Sequence, residues 1–196
     1  MLTELDVVNS CLATIGEMPL VELSDDHPLI AAARQNFQEA IVSETARQWW
    51  FNTDYCILQQ ANDKFVYVPG DAIAVTPLDR LDLTMRGRRL YDRTNSTYEV
   101  TGPVRCWVIR NLIFDELPAP AQLLVKHSTV LQFQMNYDAD ESKTQKLEAL
   151  YTAAYRTLNA EHTRQIRLNA LNQPQIAMMR MRAGVRPRRS GHFAVR

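Results

Sequence analysis

The residues able to do chemistry are few and scattered. Asp138-x-Asp140-Glu141 sets three carboxylates close together, as a calcium loop does, but its sixth position is Lys143 where the sharp turn needs glycine. The same residues read better as the N-terminal cap of a helix. Asp115-Glu116 offers the two carboxyls a glycosidase needs on opposite sides of a sugar bond. Adjacent residues seldom converge that way, and a polar turn before Pro118 is the simpler reading. His27, His127, His162 and His192 lie far apart, with no His-Glu-x-x-His or Cys-x-x-Cys partner, so zinc has no sequence support. Gly16, Gly70, Gly87, Gly102, Gly184 and Gly191 are too dispersed to cradle a phosphate, which argues against nucleotide hydrolysis. Cys11, Cys56 and Cys106 are an odd, widely spaced set that reads as buried free thiols. No cofactor and no metal are expected.

Two groups are better suited to contact than to catalysis. Trp49, Trp50, Phe51 and Tyr55 could stack on bases or sugars, but they sit at a helix-to-strand corner where a core must be sealed. Arg86-x-Arg88-Arg89 is a local basic knot in a predicted loop, free to face nucleic acid, carboxylates or water. Charge is also uneven along the chain. The 22 basic and 22 acidic residues cancel, yet no acid follows Glu161 while eight arginines do. The first 161 residues hold 14 basic against 22 acidic groups, so an acidic body of −8 carries a basic tail of +8. Met178, Met179, Met181, Val185 and Phe193 interleave the arginines, which suits a protein partner better than bare phosphate.

The elements that position these groups change character twice. Thr3, with Asp6 three residues on, caps a helix whose Leu5, Val8, Cys11, Leu12 and Ile15 share a face, and Gly16 and Pro19 end it. Asp25 or Asp26, with Pro28, is expected to open a second helix with Ile30, Ala33, Phe37, Ala40 and Ile41 inward. From Thr53 the signal turns to strands: 54–58, 65–68, 72–75, a hairpin of 90–93 with 98–100 around Asn95-Ser96, and 104–109. Helix returns at Pro120 with Leu123, Leu124, His127, Val130, Leu131 and Gln134 as its stripe. A last helix starts near Asp140 and is expected to reach Asn172, about 45 Å at 1.5 Å per residue. It should project from the bundle or brace a neighbouring subunit. The predicted fold is α+β: an antiparallel bundle of about four helices with a small central antiparallel β insertion. The expected segments are 1–52 and 113–172 as the two halves of the bundle, 53–112 as the insertion and 173–196 as an extended basic tail. Leu12, Ile15, Phe37, Trp50 and Phe51 are the expected core. No apolar run is long enough for a membrane span, and acidic Glu4 and Asp6 stand where a secretory signal carries positive charge.

Val8-Asn9-x-x-Leu12-Ala13-x-Ile15-Gly16-Glu17-x-Pro19, then a helix with Arg34 and Gln38, then Arg47, Trp50 and Phe51-Asn52, form an ordered series. With Leu90-Tyr91-Asp92-Arg93-Thr94, the 105–110 strand and Asp115-Glu116-Leu117-Pro118, it resembles the tail tubular A proteins, head-to-tail adaptors of short-tailed phages. The likeness covers about residues 1–160. It implies a non-enzymatic virion protein, and with neither membrane span nor secretory signal in the sequence, synthesis in the host cytoplasm is expected. Twelve copies would form a ring between the portal and the tail nozzle (tail tubular protein B), sealing the DNA channel and supporting tail-fibre attachment. Genomic DNA would pass through the ring. Arg180, Arg182, Arg186, Arg188, Arg189 and Phe193 are the expected portal contacts, although the arginine-rich end departs from the pattern. A polysaccharide-degrading tail enzyme and a DNA-contacting module are the alternatives.

Overall fold

Thr3 and Asp6 close a reciprocal cap on the first helix, α1 (Glu4–Thr14): Thr3 N–H donates to Asp6 Oδ2 at 2.9 Å and Asp6 N–H to Thr3 Oγ1 at 3.2 Å. At the other end Gly16 adopts φ +82°, and Glu17 N–H and Gly16 N–H return to the carbonyls of Leu12 and Ala13. Asn9 then pins the chain as it leaves the helix. Its side-chain amide accepts from Leu20 N–H at 2.7 Å and donates to Leu20 C=O at 3.1 Å. The computed structural model describes residues 2–25 and 27–166. Two compact units divide the chain, Met1–His162 and Thr163–Arg196.

The second helix, α2 (Ile30–Thr45), starts without the expected acidic cap. Leu29 holds the cap position with no side-chain bond, and its N–H donates to His27 Nδ1. Asp25 is used one turn earlier, where its carboxylate accepts from the N–H groups of Val21 and Glu22. Asp26 lies outside the described residues.

Five strands follow: β1 (Thr53–Leu58), β2 (Ala72–Pro77), β3 (Leu83–Arg86), β4 (Arg89–Asp92) and β5 (Val104–Arg110). β5 lies in the centre of a three-stranded antiparallel sheet ordered β1-β5-β2, and β3 and β4 pair separately. As the alternation predicts, Val104, Cys106 and Val108 are buried while Arg105 and Trp107 face out. The predicted turn at Asn95-Ser96 forms but closes only a single antiparallel bridge, Asp92 to Thr97, rather than two strands. The two-stranded hairpin is β3 and β4, joined at Gly87-Arg88 with φ +63° at Gly87. Asn95-Ser96 belongs to a turn that ends β4, because Asp92 Oδ1 captures the N–H groups of Thr94 and Asn95. Segments 65–68 and 98–100 form isolated bridges in place of strands.

A 3₁₀ turn (Phe114–Glu116) leads to α3 (Ala119–Tyr137), with Pro120 in its first turn, and to α4 (Glu141–Gln165). Asp140 caps α4 by accepting from Lys143 N–H at 2.9 Å, the reading preferred over a calcium loop. Of the predicted stripe of α3, Leu124, Val130 and Gln134 are buried, His127 and Leu131 are half-buried and Leu123 is exposed, while Gln122, Val125, Ser128, Thr129 and Phe133 are buried beyond the prediction. Among the described residues α4 has 25 in helix, about 37 Å at 1.5 Å per residue. Only Ala154 and Leu158 of it are buried. Its expected end at Asn172 lies outside the described residues.

Three apolar clusters organise the α+β fold. One joins α2, α3 and α4 around Phe37, Trp49, Phe114, Leu124 and Leu158. A second packs Val8, Cys11, Leu12 and Phe133 between α1 and α3, with Ile15 partly buried beside them. The third lies inside the β region around Val66, Leu90, Val100 and Cys106.

Candidate interaction surfaces

The aromatic corner is built from α2 outward. Asn52, 1% exposed, donates to the carbonyls of Thr45 and Arg47 and accepts from Trp49 N–H, bending the chain from α2 into β1. That bend sends Trp49 inward, where its Nε1–H donates to Glu44 C=O at 2.9 Å. Trp49 is 4% exposed and packs edge-on against Tyr155 and His162. Trp50 and Phe51, expected in the core, are only partly buried and pack against its rim. Sequence pattern could not rank the two tryptophans, since the choice depends on Asn52. Tyr55 is not part of this corner. It stands on the outer sheet face with its ring 5.6 Å from that of Trp107, both substantially exposed.

A polar seam runs through the bundle beside Trp49. Glu44 is 4% exposed, and its Oε1 accepts from Ser128 Oγ at 3.1 Å and Tyr151 OH at 3.0 Å. Its Oε2 has no hydrogen-bond partner among the described residues; the nearest cation is Arg47, whose Nη2 is 3.7 Å away. Burial and the Glu44 carboxylate together push the Tyr151 hydroxyl above its ordinary range. This network ties three helices with hydroxyls and one charge. Its residues are spread over more than a hundred positions of sequence, which is why no local motif announces it.

The remaining acids stay apart from one another's work. Asp115 and Glu116 sit on the 3₁₀ turn, both exposed, and Asp115 lines an open cleft of about 490 Å³ with Glu4, Phe37, Ile41, Val42 and Ile113. Glu4 is held there by Arg34 at 2.7 Å. Asp138 pairs with Lys143. Among the described residues no group of three or more His, Cys, Asp or Glu is placed to hold a metal ion, and no helix is long and apolar enough to cross a membrane. Cys11, Cys56 and Cys106 are free thiols, with Cys56 directly opposite Cys106 across β1 and β5. Burial pushes Cys11 up to about 12 and Cys106 up to about 11.

The basic knot is the tip of a stacked hairpin face. Arg86, Arg89 and Tyr91 alternate outward on β3 and β4, away from buried Leu83 and Leu90. The Arg86 guanidinium lies 3.8 Å over the Tyr91 ring, and that of Arg89 lies over both Tyr98 and Phe65. Arg88 turns aside to donate to Gly70 C=O. Arg180, Arg182, Arg186, Arg188, Arg189 and Phe193 lie outside the described residues.

A family model described as tail tubular protein matches residues 5–187. Tail tubular protein A of Klebsiella phage KP34 is 25% identical over 134 residues, 68% of this chain and 72% of that protein. The family match takes in both helical segments and the β region between them, so the chain belongs to the tail tubular protein family, whose members are structural components of phage tails.

Proposed function

We propose that this chain is a head-to-tail adaptor that assembles as a ring, a dodecamer, between the portal and the tail nozzle. In that place it closes the DNA exit channel around the genome and supports tail-fibre attachment. It acts by contact, with no chemistry of its own. The family match over residues 5–187 carries the reading, since it joins bundle and β region in one protein type. The long α4, with only Ala154 and Leu158 buried, supports it by leaving most of a helix for neighbouring subunits. The fold reading that sets 1–52 and 113–172 as one bundle, 53–112 as insertion and 173–196 as tail belongs to the same proposal.

The arginine-rich end is assigned to the portal. Arg180, Arg182, Arg186, Arg188 and Arg189 suit bidentate pairing with carboxylates, and Phe193 and the methionines supply apolar surface. Negative-stain imaging of the purified chain mixed with portal particles tests the adaptor. Rings seated on portals are expected; bare portals beside free subunits would refute it. A chain ending at Gln173 should keep its thermal stability and bind portal more weakly. Equal portal affinity of truncated and full chains would remove the tail from docking and leave DNA contact as its role.

A further inference from the structure

The outward face of the β3–β4 hairpin is a ladder with alternating charge and ring. Arg86 stacks on Tyr91, Tyr91 meets Tyr98 edge-on at 4.9 Å, Arg89 covers Tyr98 at 4.5 Å and Phe65 at 5.0 Å, and Phe65 adjoins Tyr67. The Arg86 and Arg89 guanidiniums are each held over an aromatic ring, and Arg86 is exposed. Neither Arg86 nor Arg89 forms an ion pair among the described residues. The nearby acids are otherwise engaged, Asp63 by Tyr67 OH and Phe65 N–H, Glu99 by Lys64, and Asp92 by Asn95, Thr94 and Arg80. Arg86 has no carboxylate bonded to it among the described residues and Arg89 feels Asp63 only through space, so the pair presents an anion-reading surface. With their faces covered by guanidinium, these rings are poorly placed to stack on nucleic-acid bases.

A complementary surface exists elsewhere on the same chain. Met135, Ala139, Glu141, Thr144, Gln145 and Glu148 line an open groove of about 390 Å³ where α3 turns into α4. Glu141 and Glu148 are exposed and make no ion pair among the described residues, and Met135 is 56% exposed. Seven residues apart, the two carboxylates share a helix face about 10 Å along the axis. On the hairpin Arg86 and Arg89 are cross-strand partners whose guanidiniums lie over neighbouring rings, Tyr91 and Tyr98, with centroids 4.9 Å apart. We infer that the Arg86–Arg89 ladder of one copy docks in the Glu141–Glu148 groove of a second copy of this chain. Duplex DNA fits the ladder less well, because the surrounding body carries a net −8 through residue 161.

The two surfaces are different patches, so the contact is head-to-tail, the kind that closes into a ring when its rotation allows. The inference rests on the ring reading above for its biological setting. A contact between two pairs of surface charges is weak for an isolated pair of chains and falls with salt. Copies held side by side on a platform gain strength from effective concentration.

Charge exchange tests it. Sedimentation velocity up to millimolar protein should show weak, salt-sensitive association of the wild-type chain. Arg86→Glu/Arg89→Glu and Glu141→Arg/Glu148→Arg should each self-associate at least tenfold more weakly, and an equimolar mixture of the two should recover wild-type association, because each reversed face then meets its reversed partner. The glutamate substitutions lie on an exposed helix face, so that arm stands even if the hairpin variant melts early. A mixture no stronger than its components overturns the inference, as does a wild-type chain that stays monomeric throughout. Loss of duplex DNA binding in the arginine variant with self-association unchanged overturns it in favour of a nucleic-acid face. Portal imaging separates the two readings: rings on portals without charge rescue sink this contact alone, and charge rescue without portal binding sinks the adaptor alone.

Discussion

Trp49→Ala is the sharpest test of how the bundle is sealed. Trp49 is 4% exposed, stacks on Phe51, meets Tyr155 and His162 edge-on and donates its indole N–H to Glu44 C=O. Removing a buried tryptophan side chain costs about 3–5 kcal/mol, cavity included. The unpaired carbonyl adds about 1 kcal/mol, so the loss should lie near the top of that range. Against a total stability of about 5–15 kcal/mol, this leaves a marginal or molten protein. Trp50 is only partly buried, and Trp50→Ala should cost about 2 kcal/mol, scaled by the smaller apolar area it removes from water. Urea unfolding followed by circular dichroism measures both. With a slope of about 2 kcal/mol/M, Trp49→Ala should lower the midpoint by about 2 M, and Trp50→Ala by about half as much. The reasoning fails if Trp50→Ala is the costlier change, or if Trp49→Ala melts normally and loses only partner binding.

Glu44→Gln should shift stability by less than about 1 kcal/mol, because its carbonyl can still accept from Ser128 and Tyr151 while a buried charge is removed; Glu44→Ala, which strands both hydroxyls, should cost about 2–4 kcal/mol. Equal losses in urea melts would refute the seam. Asp92 is held below its ordinary carboxylate range, first by Asn95 N–H and the Asn95 side chain and then by Thr94 N–H and Arg80. Its stabilisation is therefore fully present above the unfolded pKa of about 4 and is lost as pH falls through the lower folded value. Asp92→Asn should flatten the acid limb of the stability–pH curve, and an unchanged limb would show that Asp92 contributes no linkage. Cys11 and Cys106, pushed up to about 12 and about 11, should resist a disulfide reagent at neutral pH until the chain unfolds. Three fast-reacting thiols in native protein would contradict their burial.

What could be read from sequence was whatever depends on neighbours along the chain. The Thr3–Asp6 cap, the left-handed Gly16, the alternation of β5 and the Asp140 cap each lie within a few residues, and all appear as expected. The failures are of two kinds. Two are choices among local partners that pattern does not rank: Asp25 is taken by Val21 and Glu22 instead of capping α2, and the turn at Asn95 closes only the Asp92–Thr97 bridge while the two-stranded hairpin forms at Gly87. The other is non-local: α3 buries Gln122 and Ser128 beside the predicted Leu124, Val130 and Gln134 because they find partners on Phe114 and Glu44, contacts that hydrophobic periodicity cannot register. Arg86 and Arg89 were visible as a basic knot, but the rings that order them come from Phe65 and Tyr98 as well as their own strand.

The central place of β5 in the order β1-β5-β2 fixes a sequence of events during synthesis. β1 and β2 leave the ribosome first, and neither can pair until residues 104–110 arrive. At about 5–20 residues per second, translation from Leu58 to Arg110 takes several seconds, during which Tyr55, Cys56, Ile57 and Leu58 offer an unpaired strand to any neighbouring nascent chain. Asp54 is the single charge in that strand, and in the finished fold it is claimed by Arg110 at 3.0 Å. Before Arg110 exists, the same carboxylate repels its own copies on other chains and so guards the edge while it waits.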